Sequence, residues 1–125
     1  KDNPELRFMA LKDFDQDMIT LIKRGSVLRY APTQLYVSDS QKVLIFGRGR
    51  FIFALNFSPV HSFTDFEFCA PSGEYRIALN TDAKNYDGFG RIDESVHHFT
   101  SRKDGGDKLS LYLPSRSAIV LEKIR

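Results

Sequence analysis

At 125 residues and 14.3 kDa the chain is one domain of ordinary size, too short for the ~200 residues of a complete eight-stranded α/β barrel. Apolar residues make up 42% and charged residues 27%, a globular balance, and no apolar run approaches the ~20 residues of a membrane helix. Lys and Arg total 18 against 16 Asp and Glu, a net charge of +2 spread along the chain, so the clustered footprint of a nucleic-acid binder is missing.

The first stretch has helical spacing. Asn3 is a cap residue, Pro4 suits the first helical position, and Leu11, Phe14, Met18, Leu21 and Ile22 recur on one face. Lys23, Arg24 and Gly25 form a stop signal, which predicts a helix from about Pro4 to Arg24. Gly25 to Gln41 reads as a connector, with the domain boundary at 33/34.

From Lys42 the period becomes two. Lys42–Phe46 and Arg50–Phe57 read as strands joined by Gly47-Arg48-Gly49, a hairpin. Phe63–Cys69 is a third strand, closed by Pro71-Ser72-Gly73. Tyr75, Ile77 and Leu79 alternate with polar or small residues, as do Leu109, Leu111 and Leu113, and Ser117–Glu122 is the last run. Thr81 to Lys108 reads as a long surface loop. The expected fold is an antiparallel Greek-key β-sandwich with an N-terminal helical segment. Phe51, Phe53, Leu55 and Phe57 share one face of their strand, yet Ile52 and Ala54 are apolar as well. Strands apolar on both faces imply a covering layer, supplied by the helix or by a neighbouring domain.

Most candidate chemistry yields to simpler readings. Asp13, Asp15 and Asp17 begin like a calcium loop, but Met18 and Arg24 stand where Gly and Glu are required. Gly47-Arg48-Gly49 lacks the third glycine and following helix of a dinucleotide fingerprint, and its arginines read as solvent-exposed. Glu94 and His98 would meet on a helical turn, without a third ligand. No metal and no cofactor is therefore expected. Cys69, the only cysteine, reads as a buried inert thiol and fits a reducing cytosol. No signal peptide is visible, and the expected localisation is cytoplasmic. Asn56-Phe57-Ser58 reads as a chance glycosylation match.

Tyr86, Phe89 and Phe99 stand among polar residues in the long loop, beside Arg91, Asp87 and Asn85. They either stack on sugar faces and bond hydroxyls or fold back to anchor the loop.

Several stretches resemble the 1,4-α-glucan branching enzymes, most of all the eukaryotic type. Leu11-Lys12-Asp13-Phe14-Asp15-Gln16-Asp17-Met18 is similar to the last helical region of their catalytic domain. Val43 through Phe57-Ser58-Pro59 resembles the first hairpin of their C-terminal β domain. Leu79-Asn80-Thr81-Asp82-Ala83 with Tyr86-Asp87-Gly88-Phe89-Gly90-Arg91-Ile92-Asp93 resembles their aspartate- and glycine-rich loop. Val96-His97-His98-Phe99-Thr100 and Tyr112-Leu113-Pro114-Ser115-Arg116-Ser117-Ala118 continue the match. Gly47 and Arg50 stand where the family often carries acids, and Ser101–Lys108 is shorter than in many relatives.

The resemblance implies the α-amylase clan: a parent enzyme that cuts an α-1,4-glucan and moves the piece to a 6-hydroxyl by a retaining, two-carboxylate mechanism. Its carboxylates lie in a barrel domain expected to precede Lys1, so no catalytic residue transfers to this chain. Residues 1–33 would be the barrel's helical tail with a connector, and 34–125 the non-catalytic all-β domain. The expected partner is that barrel, with α-glucan a further candidate through Tyr86, Phe89 and Arg91. No nucleic acid and no membrane is expected, and an isolated domain could hide its docking face by dimerising. An autonomous glucan-binding module is one alternative, and an apolar-ligand β-barrel lined by the phenylalanines is another, which a filled core would dismiss.

Overall fold

The computed structural model describes Gln16, Asp17, Thr20 and residues 32–84 and 89–125. Gln16, Asp17 and Thr20 are helical, with the Thr20 hydroxyl donating to the Gln16 carbonyl at 3.0 Å. The rest of the 4–24 helix expected from the sequence lies outside the described residues.

Nine strands follow among the described residues: β1 (Thr33–Ser38), β2 (Val43–Arg48), β3 (Phe51–Asn56), β4 (Phe63–Cys69), β5 (Glu74–Asn80), β6 (His98–Phe99), β7 (Ser101–Lys103), β8 (Gly106–Leu113) and β9 (Ser117–Lys123). They form a six-stranded sheet of order β1-β2-β3-β9-β5-β6 and a three-stranded sheet of order β4-β8-β7. Every pairing is antiparallel. The return of β9 between β3 and β5 is the long-range connection that Greek-key sandwiches use.

The core lies between the sheets. Val43, Ile45, Ile52, Ala54, Ile77, Ile119 and Leu121 meet Phe68, Leu109, Leu111 and Leu113, all buried. This filled, two-sheet interior replaces the hollow closed barrel of the apolar-ligand alternative.

Two bulges decide which side chains join it. Phe63 and Phe66 are three apart and would face opposite ways in a regular strand. A register shift between them, with Asp65 at φ +52°, pairs Phe63 with Leu113 and Phe66 with Leu111, so both rings turn inward. A second shift between Ile77 and Leu79 does the reverse. Leu79 pairs with Val120 on the outer face, and Asn80 takes the inward place opposite Ile119. Simple alternation had grouped Leu79 with Tyr75 and Ile77.

The outer face of the large sheet is apolar across the middle of β2, β3 and β9, as the two-sided strands implied, with Arg48, Arg76 and Glu122 in the row at one end. Phe46 stacks on its cross-strand partner Phe53 with centroids 4.9 Å apart. Val120 and Phe51 are each 1% exposed there.

Four local readings are corrected. Residues 33–38 form β1, an edge strand with its own bulge, rather than connector. The hairpin loop is Gly49-Arg50 and not 47–49, because Gly49 alone takes a positive φ (61°), the pattern of a type II′ turn. The 81–108 insert contains β6, β7 and the start of β8. Cys69 is exposed: as the last residue of β4 it points away from the core, and its sulfur accepts from Lys108 Nζ at 3.2 Å.

Candidate functional site: the interlocked loop end

Three connections meet at one end of the sandwich: residues 57–62 after β3, the first turn after β5, and 114–116 after β8. Buried polar groups bind them together. Asn56 is 1% exposed at the end of β3. Its Nδ2 donates to the His61 carbonyl at 2.9 Å and the Leu113 carbonyl at 3.1 Å, and its Oδ1 accepts the Ser58 N–H at 3.0 Å. Every bonding group of the amide is used, so the side chain clamps its own loop to the end of β8. This excludes Asn56 as a glycan acceptor. Further ties run from the Ser115 N–H to Ser62 Oγ (2.9 Å) and from the Arg116 N–H to the Ser58 carbonyl (3.0 Å).

β5 also ends in a buried Asn. Asn80 is 1% exposed, and its Oδ1 accepts the Asp82 N–H at 2.9 Å, the Asx turn that Asn favours after a strand. Thr81 then bridges to β9. Its N–H donates to the Ala118 carbonyl at 3.0 Å and its Oγ1 accepts the Ala118 N–H at 2.8 Å.

Asp82, 4% exposed, organises the rest. One of its oxygens accepts Arg91 Nη2 at 2.7 Å, the other accepts the Arg91 N–H at 2.7 Å, and Arg91 Nε lies 3.1 Å from both. The Gly90 N–H donates to the Asp82 carbonyl at 2.6 Å. Burial pushes the Asp82 carboxyl up, but the Arg91 guanidinium, its backbone N–H and that of Phe89 outweigh this and hold it below the usual carboxylate range. Arg91 Nη2 also reaches the Ser115 carbonyl at 3.1 Å, joining the β5 and β8 loops.

The expected sugar-contact residues divide. Arg91 is committed to Asp82 and Ser115, which is an anchoring geometry. Phe89 is 65% exposed, with the Arg91 guanidinium 5.0 Å from its ring centroid. Tyr86 lies outside the described residues. Phe57 and Val60, 61% and 74% exposed, add apolar surface at the same end. Reading the sequence singled out Phe89 and Arg91 but passed over Asn56 and gave Asp82 no role. The signal was present in both: an Asn closing an apolar strand and followed two residues later by Ser or Asp.

The acid and histidine stretch lies elsewhere. Residues 93–97 form no helix, so Glu94 and His98 are not brought together. His97 Nδ1 instead meets Glu74 Oε2 at 2.6 Å, while Arg125 Nε donates to Glu74 Oε1 at 2.8 Å. The His97 and Arg125 bonds lower the Glu74 carboxyl. Burial pushes the His98 imidazole down, partly offset by its bond to the Ser110 backbone. Among the described residues no group of three or more His, Cys, Asp or Glu is placed to hold a metal ion. No helix among them is long and apolar enough to cross a membrane.

A two-sheet antiparallel sandwich with one polar-locked loop end defines an all-β module. The chain belongs to the family described as alpha amylase, C-terminal all-beta domain, which matches residues 36–124. Its relatives include proteins named 1,4-alpha-glucan-branching enzyme. The Saccharomyces cerevisiae protein is 35% identical over 127 residues, covering 96% of this chain and 18% of that protein. The Dictyostelium discoideum protein is 33% identical over 130 residues (98% and 19%), and the Felis catus protein 34% over 130 (98% and 18%). The chain thus spans less than a fifth of the length of these curated relatives.

Proposed function

We propose that this chain serves as the C-terminal, non-catalytic β domain of a glucan branching enzyme. The parent would cut an α-1,4-glucan and transfer the piece to a 6-hydroxyl, forming an α-1,6 branch. Nucleophile and acid/base carboxylates of that retaining chemistry would lie in a catalytic barrel of the same polypeptide. The β domain stabilises the barrel and helps shape the outer substrate region, in the cytoplasm. One observation carries the reading. Parts of four segments that carry the family resemblance, 56–59, 79–83, 89–91 and 113–118, are far apart in sequence yet fold into one interlocked end, while 96–100, which also carries it, lies elsewhere. An arrangement built from four separate segments is harder to reach by chance than any one motif.

The apolar outer face of the large sheet, with Leu44, Phe46, Phe53 and Leu55 half-buried, supplies the surface that packs toward the rest of such an enzyme. A second reading rests on Phe89, which the Asp82–Arg91 fork holds at the surface as a platform for a glucan ring.

Two measurements test these readings. Deleting residues 34–125 from the longer polypeptide should lower its thermal midpoint and its soluble yield, and an unchanged midpoint would contradict the stabilising role. Migration of the chain through a native gel with and without glycogen reads the second. Retardation makes it a glucan-binding module, and equal migration of folded chain removes that role.

A further inference from the structure

One row of apolar side chains crosses the outer face of the large sheet. Phe46 pairs with Phe53, Phe53 with Val120 and Val120 with Leu79, so each of four strands contributes one residue. The three-stranded sheet packs on the inner face. Even so, Val120 and Leu79 are buried, and Phe46 and Phe53 are half-buried. A valine at the centre of a bare sheet face would meet solvent, so its burial within a single chain calls for a cover from the chain itself.

The chain enters the sheet on this side. Pro32, the residue before β1, lines an outer groove of about 470 Å³ together with Gln34, Leu44, Phe46 and Arg48. Upstream, Gln16, Asp17 and Thr20 are helical and exposed. At about 100° per residue these three share one side of a helix, and Phe14, Met18, Leu21 and Ile22 fall on the other. An apolar stripe of this kind needs another element to bury it. The sizes agree. Residues 14–22 span about 12 Å as a helix, and the row spans about 14 Å at ~4.8 Å between strands. Residues 23–31 can reach about 30 Å, enough to lead from the middle of the sheet to its edge at β1.

We propose that the segment around residues 14–22 docks as an amphipathic helix across this face, its apolar stripe on Phe46, Phe53, Val120 and Leu79. The β domain is then a three-layer unit, helix on sheet on sheet, and its folding boundary lies before Phe14 rather than at 33/34. Gln16, Asp17 and Thr20, on the outer side of the helix, become part of the surface that meets any further domain. The contact joins two segments of one chain and does not depend on the enzyme reading above. Where that reading holds, this helix is the part of the enzyme that the sheet packs against.

Thermal midpoints of the whole chain, taken through a double-mutant cycle, test the contact. Met18→Ala and Phe53→Ala should each lower the midpoint, and the double variant should lose less than the sum of the two, by about 2 °C or more. Thr20→Ala, on the exposed side, should show no such coupling to Phe53→Ala. If the double variant does not fold, Met18→Ala with the milder Phe53→Leu gives the same reading. Additive losses for Met18 and Phe53, or coupling through Thr20 in place of Met18, overturn the docking. The cycle is repeated at roughly tenfold higher protein concentration. Coupling unchanged by concentration supports the contact within one chain, and coupling seen only at the higher concentration places the helix on a second copy and overturns it.

Discussion

Asp82 and Arg91, nine residues apart, meet through both side-chain and backbone bonds, with Arg91 Nη2 2.7 Å from one carboxylate oxygen and the Arg91 N–H 2.7 Å from the other. The acid is almost fully buried, while the Arg91 side chain is 30% exposed. The loop from β5 therefore returns to a fixed point, and the Ser115 carbonyl ties that point to the β8–β9 connection.

Removing the cation should expose the cost of that arrangement. Arg91→Ala leaves a buried carboxylate with only backbone donors, and should cost about 1–3 kcal/mol after allowance for Arg91's partial exposure. Arg91→Lys should recover only part, because an ammonium cannot reproduce the fork. Urea midpoints measure both, and equal midpoints for wild type and Arg91→Ala would contradict the anchoring role.

Asn56 should matter more than its place in a glycosylation-like triplet suggests. Asn56→Ala strands the His61 and Leu113 carbonyls and the Ser58 N–H, and should lower stability by about 2–3 kcal/mol. Asn56→Asp should be at least as damaging, since a buried charge replaces the two donated bonds. Thermal midpoints check this, and a loss below about 0.5 kcal/mol for Asn56→Ala would contradict it.

Phe89 separates binding from stability. At 65% exposure its truncation should change the urea midpoint little. If the platform binds glucan, Phe89→Ala should weaken retardation in glycogen gels by about 1–3 kcal/mol of affinity. Unchanged retardation in a chain that does bind would remove Phe89 from the contact. Arg91→Ala cannot make this distinction, because it also loosens the loop.

Stability should fall on acidification, in two stages. Burial lowers the His98 imidazole from its ordinary 6.5, so the fold favours the neutral ring. That contribution is complete above pH 6.5 and is lost as pH falls through the lowered value. His97 and Arg125 lower the Glu74 carboxyl from 4.5. Asp82 lies below 3.8 because its bonds from Arg91 and Phe89 outweigh burial. Both carboxylates stabilise above their ordinary values and cease to do so as pH falls through the lowered ones. Urea midpoints from pH 8 to pH 3 should decline below about pH 6.5 and more steeply below about pH 4. A flat profile would contradict these assignments.

Gly73 marks a close approach rather than a flexible joint. A Cβ there would collide with the Arg125 carbonyl and meet Lys123 Cε at 2.6 Å. The same carbonyl accepts the Glu74 N–H at 3.1 Å, so the C-terminal residue cannot move aside freely. Gly73→Ala should lower the thermal midpoint by an amount equivalent to about 1–3 kcal/mol, and an unchanged midpoint would contradict the contact.

Much of the fold was legible because period-two alternation is a strong local signal. Strand β4 was read with its bounds intact, and β8 and β9 were found from Leu109-Leu111-Leu113 and Ser117–Glu122. What escaped depends on partners distant in sequence. The bulge at Asp65 turns Phe66 inward only because Leu111 and Leu113 wait opposite. The one after Ile77 sends Leu79 to the outer face beside Val120, which alternation alone cannot reveal. β1 and the short β6 and β7 lie at or near sheet edges, where a half-exposed strand carries little pattern. At the loop end the sequence showed the right residues but not their division of labour. Arg91 reads as a sugar-contact residue beside Phe89 until Asp82 is seen beneath it.

The most direct measurement is a branching assay by loss of amylose–iodine absorbance, run on the 125-residue chain alone and on the same chain continuous with an upstream catalytic barrel. The continuous polypeptide should reduce the absorbance by forming α-1,6 branches, and the chain alone should leave it unchanged. Branching by the purified chain alone, or full activity in a polypeptide from which residues 34–125 have been deleted, would contradict the account.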